Sequence, residues 1–131
     1  LFDKHAQIAM GITAENLSSE YTVSREDSDK YSYESHLKAA KAYEQNLIQP
    51  EIVPVKVDRI DCSKDEHLRG DVSLAEMQKL KPTFKKEGTV TAGSASGIVD
   101  GACSLLIVSE NYLKKHNLKP LAEIISGEVV G

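Results

Sequence analysis

Two cysteines and four histidines are the side chains in this 131-residue sequence with the clearest capacity for chemistry. A cysteine can act as a nucleophile when a neighbouring base activates it. Cys103 lies inside an apolar run, where we expect a buried, inert thiol, and Cys62 lies in a polar segment with no accompanying His or Asn pattern. The histidines are scattered and are expected at the surface. We therefore predict no catalytic residue within this sequence.

The consecutive acidic and imidazole side chains of Asp65, Glu66 and His67 raise the question of a metal site. Zinc needs three or four ligands that converge in space, whereas adjacent residues on regular structure point in different directions. A solvated loop is the favoured interpretation, and we predict no metal site.

A run of small residues, AGSASG at 92–97, is the second candidate for chemistry. It lacks the Lys and Ser/Thr of a phosphate-binding P-loop, and it precedes a predicted strand instead of following one. Without side-chain bulk, the run lets a ligand or another backbone approach. Backbone donors and the hydroxyls of Ser94 and Ser96 would remain available there. A tight loop leading into a core strand is an equally good interpretation.

A local basic cluster stands out from an otherwise acidic chain. It could bind the phosphate of a ligand, or it could be the solvated face of a short helix. The sequence alone leaves both open for Arg69, Lys79, Lys81, Lys85 and Lys86.

Composition limits the class of protein. A hydrophobic content of 40% and a charged content of 27% are typical of a soluble globular domain. The net charge of −4 argues against a general nucleic-acid binder. No apolar run approaches the roughly 20 residues that span a bilayer. Two distant cysteines favour an intracellular chain with free thiols, and the two ends resemble cut points within a longer protein.

Capping residues predict four helices that would position these side chains. Thr13 is a candidate N-cap for the first, and Ser24 precedes a long helix over 25–46. Ser73 precedes a short helix ending near residue 80, with an acidic residue at the capping-box position. Ser109 precedes a helix over 110–116 that Asn117 would terminate.

Apolar patterning predicts three strands. Residues 51–57 form a short strand, placed at a sheet edge by Pro54. Residues 102–108 form a strand buried on both faces, and residues 121–126 a last strand. Residues 1–10 have no clear period, and residues 58–70 are polar and rich in turns. The later part is therefore a strand–helix–strand unit, too small to close a layered core alone.

The sequence resembles the thiolases. The motifs that carry the resemblance occur in the order of that family and cover nearly the whole chain: MGITAEN at 10–16, SREDSD at 24–29, EIVPV at 51–55, DEHLR at 65–69, LKPTFKKEGTVTAG at 80–93, ASG at 95–97 and DGA at 100–102. DKHAQ at 3–7, KKHN at 114–117 and PLA at 120–122 are most similar to the mitochondrial 3-ketoacyl-CoA thiolases within it. Ser94 departs from the family, which mostly carries Asn there.

The resemblance implies an α/β thiolase fold, present in part. Residues 1–96 would be the mostly helical loop domain with its short strand, and residues 97–131 the incomplete return into the N-terminal core domain. The nucleophilic cysteine motif would precede Leu1, and the Gly-His and second cysteine motifs would follow Gly131. The isolated segment is then expected to be inactive.

The resemblance also implies a function for the parent enzyme. It would cleave 3-ketoacyl-CoA with CoA to acetyl-CoA and a shortened acyl-CoA in fatty-acid degradation, or run the reverse condensation. CoA would be a substrate, with no permanently bound cofactor. A homodimer or homotetramer is implied, and a mitochondrial location is preferred over a peroxisomal or cytosolic one.

Eight positions match residues of the family that contact CoA or substrate. Three line the adenine and phosphate end of CoA, one contacts pantetheine, three form the loop beside pantetheine and the thioester, and one lines the acyl pocket. In that order they are Arg69, Met77 and Leu80; Phe84; Ala92, Ser96 and Gly97; and Met10. Ala9 stands where short-chain biosynthetic members carry His, which favours a degradative enzyme.

Two other functions remain possible for the chain. It could be a non-catalytic thiolase-like module that binds CoA or serves assembly. It could also be a structural fragment with no independent function, because an apolar strand without neighbours seeks other sheet edges.

Overall fold

The computed structural model describes residues 2–129, which separate into two compact units at residues 98 and 99. Each unit is described by itself. In chain order the elements are β1 (Phe2–Asp3), β2 (Ile8–Ala9), α1 (Met10–Glu20), α2 (Arg25–Glu44), a 3-10 helix (Gln49–Glu51), β3 (Val55–Val57), β4 (Ile60–Cys62), α3 (Leu74–Gln78) and α4 (Glu110–His116).

A small hairpin opens the first unit, where the sequence suggested irregular chain. Phe2 pairs with Ala9 in antiparallel register, and β2 leads directly into α1. Thr13 was expected to cap this helix, but α1 begins three residues earlier, at Met10, with no side-chain cap. The Thr13 hydroxyl instead donates to the Asp3 carboxylate at 3.2 Å, which ties the helix to the hairpin.

The long helix α2 confirms its prediction closely. The Ser24 hydroxyl accepts a hydrogen bond from the backbone N–H of Asp27, as an N-cap does. Glu26 and Asp27 lie in the first turn, where negative charge suits the helix dipole. The helix ends at Glu44, two residues before the predicted end.

A second hairpin corrects the interpretation of residues 51–70. The predicted strand at 51–57 is confined to β3, because Glu51 belongs to the 3-10 helix and residues 52–54 are not in a strand. Its partner β4 lies in the segment expected to be polar loop, with Val57 opposite Ile60. The two-residue connection is made possible by Asp58, which adopts a left-handed φ of 54°. The turn lacks glycine, and so residues 57–60 carry no clear hairpin signal.

The short helix α3 leads into a narrow loop that returns beside it. Ser73 caps α3 by accepting from the backbone N–H of Glu76, as predicted. Beyond the helix, Pro82 forms an isolated antiparallel bridge with Thr91. The small-residue run at 92–97 therefore begins next to the end of α3.

The second unit contains the helix α4 and two extended segments. Ser109 caps α4, and Asn117 ends it with a left-handed φ of 49°, both as predicted. The strands predicted at 102–108 and 121–126 are wrong for the described chain, because neither segment has a paired strand within residues 2–129. Strands form by pairing, and residues 102–107, including Cys103, are exposed instead of buried.

Burial is concentrated at a few positions of the first unit. Met77 of α3 is 2% exposed and is the centre of the apolar packing. Glu15, Asp29 and Thr91 are buried polar residues. Among residues 2–129 no helix is long and apolar enough to cross a membrane.

Candidate ligand-binding site

A first cavity lies along α1 and the start of α2, with a volume of about 960 Å³. Its lining is mainly apolar and includes three of the eight predicted site residues, Met10, Phe84 and Ser96. The Phe84 ring packs against Gly11, at a point where any Cβ would collide with it. Phe84 is thereby held next to Met10. An apolar cleft of this volume suits the flexible, weakly polar part of an organic ligand.

A second cavity, of about 560 Å³, is smaller and more polar. It brings together the remaining five predicted site residues, namely Arg69, Met77, Leu80, Ala92 and Gly97. Ala95 lines both cavities, so the two adjoin at the small-residue run. An apolar surface with one guanidinium beside it can accept a flat ring that carries phosphate groups.

Thr91 accepts hydrogen bonds from three backbone N–H groups of the small-residue run, those of residues 93–95. The backbone N–H of Ala95 donates to the carbonyl of Thr91 at 2.8 Å, and the N–H of Ser94 donates to the same carbonyl at 3.2 Å. The Ser94 hydroxyl in turn accepts from the N–H of Thr91 at 3.0 Å. The expectation of available donors is therefore wrong for the N–H groups of residues 93–95 and for the Ser94 hydroxyl, since these groups bond within the turn. For the N–H groups of Ala92, Ser96 and Gly97 the described residues show no such bond.

Glycine provides room for side chains at two places in the run. A Cβ on Gly93 would lie 2.8 Å from Cδ1 of Leu80 and 3.3 Å from Cε of Met77. A Cβ on Gly97 would collide with the ring of His67. The lack of bulk thus allows α3 and the loop before it to lie directly on the run.

Four ionisable side chains of the second cavity, Glu76 among them, were not predicted from the sequence as site residues. His36, Glu66 and His67 all line it, and the ring nitrogen Nδ1 of His36 accepts from the backbone N–H of Arg69 at 3.3 Å. The solvated loop predicted for residues 65–67 is therefore part of the cavity wall at Glu66 and His67. The signal for this in the sequence is that His67 lies two residues before Arg69, a predicted ligand contact.

Glu15 fixes the chain just before the small-residue run. Its carboxylate accepts hydrogen bonds from the backbone N–H groups of Thr89 and Val90, each at 2.9 Å, and packs against Gly88. Burial alone would raise the pKa of the Glu15 carboxyl, but these hydrogen bonds outweigh burial and leave its pKa lowered. Glu15 is therefore an ionised acceptor that joins α1 to residues 88–90.

The two cysteines line neither of the two cavities. Cys62 and Cys103 are exposed free thiols. Within the described chain no group of three His, Cys, Asp or Glu side chains could hold a metal. Of the predicted basic cluster, Arg69 lines the second cavity, whereas Lys79 pairs with Glu76 at 2.6 Å on the exposed face of α3.

Comparison with known proteins supplies the family. A family model described as "Thiolase, N-terminal domain" matches residues 1–111. The chain belongs to the thiolase family. The "3-ketoacyl-CoA thiolase, mitochondrial" of Rattus norvegicus is 44% identical over the whole chain, which covers 34% of that protein. A "Probable acetyl-CoA acyltransferase" of Staphylococcus aureus is 46% identical over 93% of the chain and is covered over 32% of its length.

Solved structures agree with the fold. The structure titled "Crystal structure of human mitochondrial 3-ketoacyl-CoA thiolase in complex with CoA" aligns with a TM-score of 0.86 at 45% identity, covering 92% of this chain and 31% of that one. The acetyl-CoA acetyltransferase of Bacillus anthracis aligns with a TM-score of 0.85 at 43% identity, covering 92% and 32%. The predicted partial α/β thiolase fold is thereby confirmed. The chain spans about a third of the length of these relatives.

Proposed function

We propose that the protein containing this thiolase segment is an acyltransferase. It cleaves a 3-ketoacyl-CoA with CoA to give acetyl-CoA and an acyl-CoA two carbons shorter, or runs the reverse condensation. The proposal is supported by one observation: each of the eight predicted ligand contacts lines one of two adjoining cavities. The sequence places these residues as far apart as positions 10 and 97.

The second cavity takes the nucleotide end of CoA. Arg69 supplies a permanent cation with several donors, which suits phosphate. Met77 and Leu80 supply an apolar surface for the adenine ring, and both pack on Gly93. Glu66 and Glu76 also line this cavity, so Arg69 must provide the attraction for the phosphates against two nearby carboxylates.

The first cavity takes the pantetheine arm and the acyl group. Phe84 contacts pantetheine in this cavity. Ser96 lines the first cavity while Ala92 and Gly97 line the second, so the thioester is assigned to the run at 92–97, where the two cavities adjoin. Met10 borders the acyl group. The apolar lining favours acyl chains over polar ones, because burying apolar surface is favourable and burying unpaired polar groups is not.

The remaining features of the proposed protein follow from the family. Residues 1–96 are assigned to the loop domain and residues 97–131 to the return into the N-terminal core domain. CoA is a substrate with no permanent cofactor, and the catalytic cysteine and histidine residues lie in other parts of the protein. A mitochondrial location is proposed because relatives in rat, mouse and human carry that name. We also propose that the full-length protein forms a homodimer or a homotetramer.

The test is a thiolysis assay on the full-length protein encoded with this segment. Acetoacetyl-CoA and CoA are supplied, and the expected result is two molecules of acetyl-CoA for each acetoacetyl-CoA consumed. CoA binding with no turnover would instead favour a non-catalytic CoA-binding module. Absence of both binding and turnover would contradict the proposal.

A pair of charge-removing variants makes the assay specific to the cavity. Arg69→Met should raise the KM for CoA by about one to two orders of magnitude, because a charge-assisted contact to phosphate contributes about 1.5–3 kcal/mol. Lys114→Met removes a cation that is exposed on α4 and paired with Glu110 at 2.6 Å. It should leave the KM for CoA unchanged. Equal effects of the two variants would contradict the assignment of Arg69.

A further inference from the structure

A buried ion pair between α2 and α3 lies beside the second cavity without lining it. Nε of Arg25 contacts Oδ2 of Asp29 at 2.7 Å, four positions along α2. Asp29 is fully buried and the Arg25 side chain is 20% exposed. The other carboxylate oxygen of Asp29 has no hydrogen-bond partner among the described residues, so Arg25 is the group that compensates its charge there.

The same guanidinium holds the far end of α3. Nη2 of Arg25 donates to the carbonyl oxygens of Met77 and Leu80, each at 2.9 Å. Met77 lies in the last turn of α3, where its carbonyl also accepts from the backbone N–H of Leu80 at 3.0 Å, and Leu80 lies two residues beyond the helix. Carbonyls at this end of a helix carry the negative end of the dipole. A cation at that point both satisfies the carbonyls and favours the dipole.

The stability of α2 does not explain Arg25. Arg25 is the first residue of α2, where a positive charge opposes the helix dipole and where Glu26 and Asp27 are the favourable residues. Helix α3, in contrast, has five residues and is too short to be stable without tertiary support. Ser73 supports its beginning and Arg25 its end.

What Arg25 holds in place is the apolar surface of the second cavity. Met77 and Leu80 both line this cavity, and both pack on Gly93 of the small-residue run. Arg25 bonds to the backbone carbonyls of these same two residues. A shift of the end of α3 would therefore move both side chains together, while the first cavity would keep its lining from α1 and Phe84.

We infer that Arg25, anchored by Asp29, is a positioning residue that sets the affinity for the nucleotide end of CoA. The inference rests on the proposed function for the identity of the ligand. The inference predicts that binding of the adenine end of CoA depends on Arg25, whereas binding of the pantetheine end does not. Arginine is needed because one planar guanidinium reaches the carboxylate through Nε and the carbonyls through Nη2, which a lysine ammonium cannot do from one position.

The experiment compares CoA with pantetheine, the same thiol without the adenine nucleotide. Both are titrated by calorimetry into the full-length protein and used as thiol acceptors in thiolysis. Arg25→Met should weaken CoA binding by about tenfold. The affinity for pantetheine and the kcat should stay within about twofold of the unaltered values, because only binding energy from the nucleotide end, remote from the reaction, is lost. Arg25→Lys should give an intermediate loss for CoA. Lys114→Met, which breaks an exposed pair of the same i,i+4 spacing, should change neither.

The comparison also distinguishes this inference from the proposed function. Equal weakening of CoA and pantetheine by Arg25→Lys, or no weakening of CoA, would overturn the positioning role. If Arg25→Met does not fold, Arg25→Lys decides, since it keeps the charge. If the unaltered protein binds CoA but shows no turnover, the proposed reaction fails and the two titrations still decide the role of Arg25. Failure of the unaltered protein to bind CoA would overturn both.

Discussion

The two units of the chain differ in what fixes their backbone. In residues 2–98, polar side chains that are buried or half-buried connect segments that are far apart in sequence. Glu15 bonds to residues 89 and 90, and Arg25 bonds to residues 77–80. In residues 99–129, the side-chain contacts of α4 span three or four positions, as between Glu110 and Lys114. Contacts of this kind stabilise α4 itself, and they do not connect the helix to the extended segments before and after it.

The same contrast appears in apolar residues. Met77 is 2% exposed in the first unit, whereas Leu106, in the middle of the longest apolar run of the second, is 86% exposed. Leu106 belongs to a sequence typical of a buried strand, and strands of that type need neighbours on both sides. The first unit therefore contains its own packing, and the second contains a strand sequence without its sheet.

The largest expected effect tests this contrast in packing. In the 131-residue chain, Met77→Ala should lower the free energy of unfolding by about 3 kcal/mol, because it leaves a cavity at a buried site. Leu106→Ala, the matched deletion at an exposed site, should change it by less than about 0.5 kcal/mol. Urea denaturation followed by circular dichroism measures both.

The cost of Leu106→Ala should also depend on whether strands are present beside residues 102–108. In a longer protein that supplies the missing strands, Leu106→Ala should cost about as much as a core deletion, that is, about 2–5 kcal/mol. A large loss already seen in the 131-residue chain would contradict the exposed position of this residue.

The next effect concerns the buried polar contacts. Glu15→Gln should destabilise the chain by about 2 kcal/mol, because an amide can accept at only one of its two heavy atoms and so leaves one of the two backbone N–H groups unpaired. Glu123→Gln makes the same change at an exposed position of the second unit and should have almost no effect. Chemical denaturation of the three proteins at pH 7 gives the comparison, and equal stabilities would refute the role of Glu15.

Lowering the pH should remove the stabilisation that the ionised Glu15 carboxylate provides. The pKa of Glu15 is lower in the folded chain than its ordinary value of 4.5. Its contribution is therefore complete above that value and is lost as the pH falls through the folded pKa. The difference in stability between the unaltered chain and Glu15→Gln should be constant from pH 7 to 5 and shrink below pH 4. A difference that shrank between pH 7 and 6 would show that another group is responsible.

The smallest effects are at the helix caps. Ser73→Ala and Ser109→Ala each remove a hydroxyl that accepts a backbone N–H, at 3.1 Å and 3.3 Å. Each change should cost about 1 kcal/mol of local helix stability. Hydrogen exchange should show faster exchange in α3 for the first variant and in α4 for the second. Loss of α4 by the Ser73 variant would contradict separate local stabilisation.

Local signals in the sequence predicted the helices well and the strands poorly. Ser24, Ser73, Ser109 and Asn117 carry their own capping groups, and all four end or begin a helix as expected. The hairpin at 55–62 was not anticipated, because its turn uses Asp58 in a left-handed conformation. The strand expected at 102–108 failed for a different reason: its pairing partners are not among the described residues, and pairing cannot be read from the run itself.

For the candidate site, too, local sequence predicted only part of what the structure shows. Small residues at 92–97 indicated close approach, and Gly93 and Gly97 do lie against side chains. The eight ligand contacts came from the family resemblance, and their assignment to CoA stays a prediction. The long-range contacts of Glu15 and Arg25 had no signal in local spacing, because their partners lie 52 to 75 residues away.

A crystal structure of the full-length protein with CoA tests the central claim most directly. The account predicts the adenine ring against Met77 and Leu80 in the second cavity, a CoA phosphate at Arg69, and the pantetheine arm passing the run at 92–97 beside Phe84. CoA ordered elsewhere on the protein, with both cavities free of it, would contradict the account.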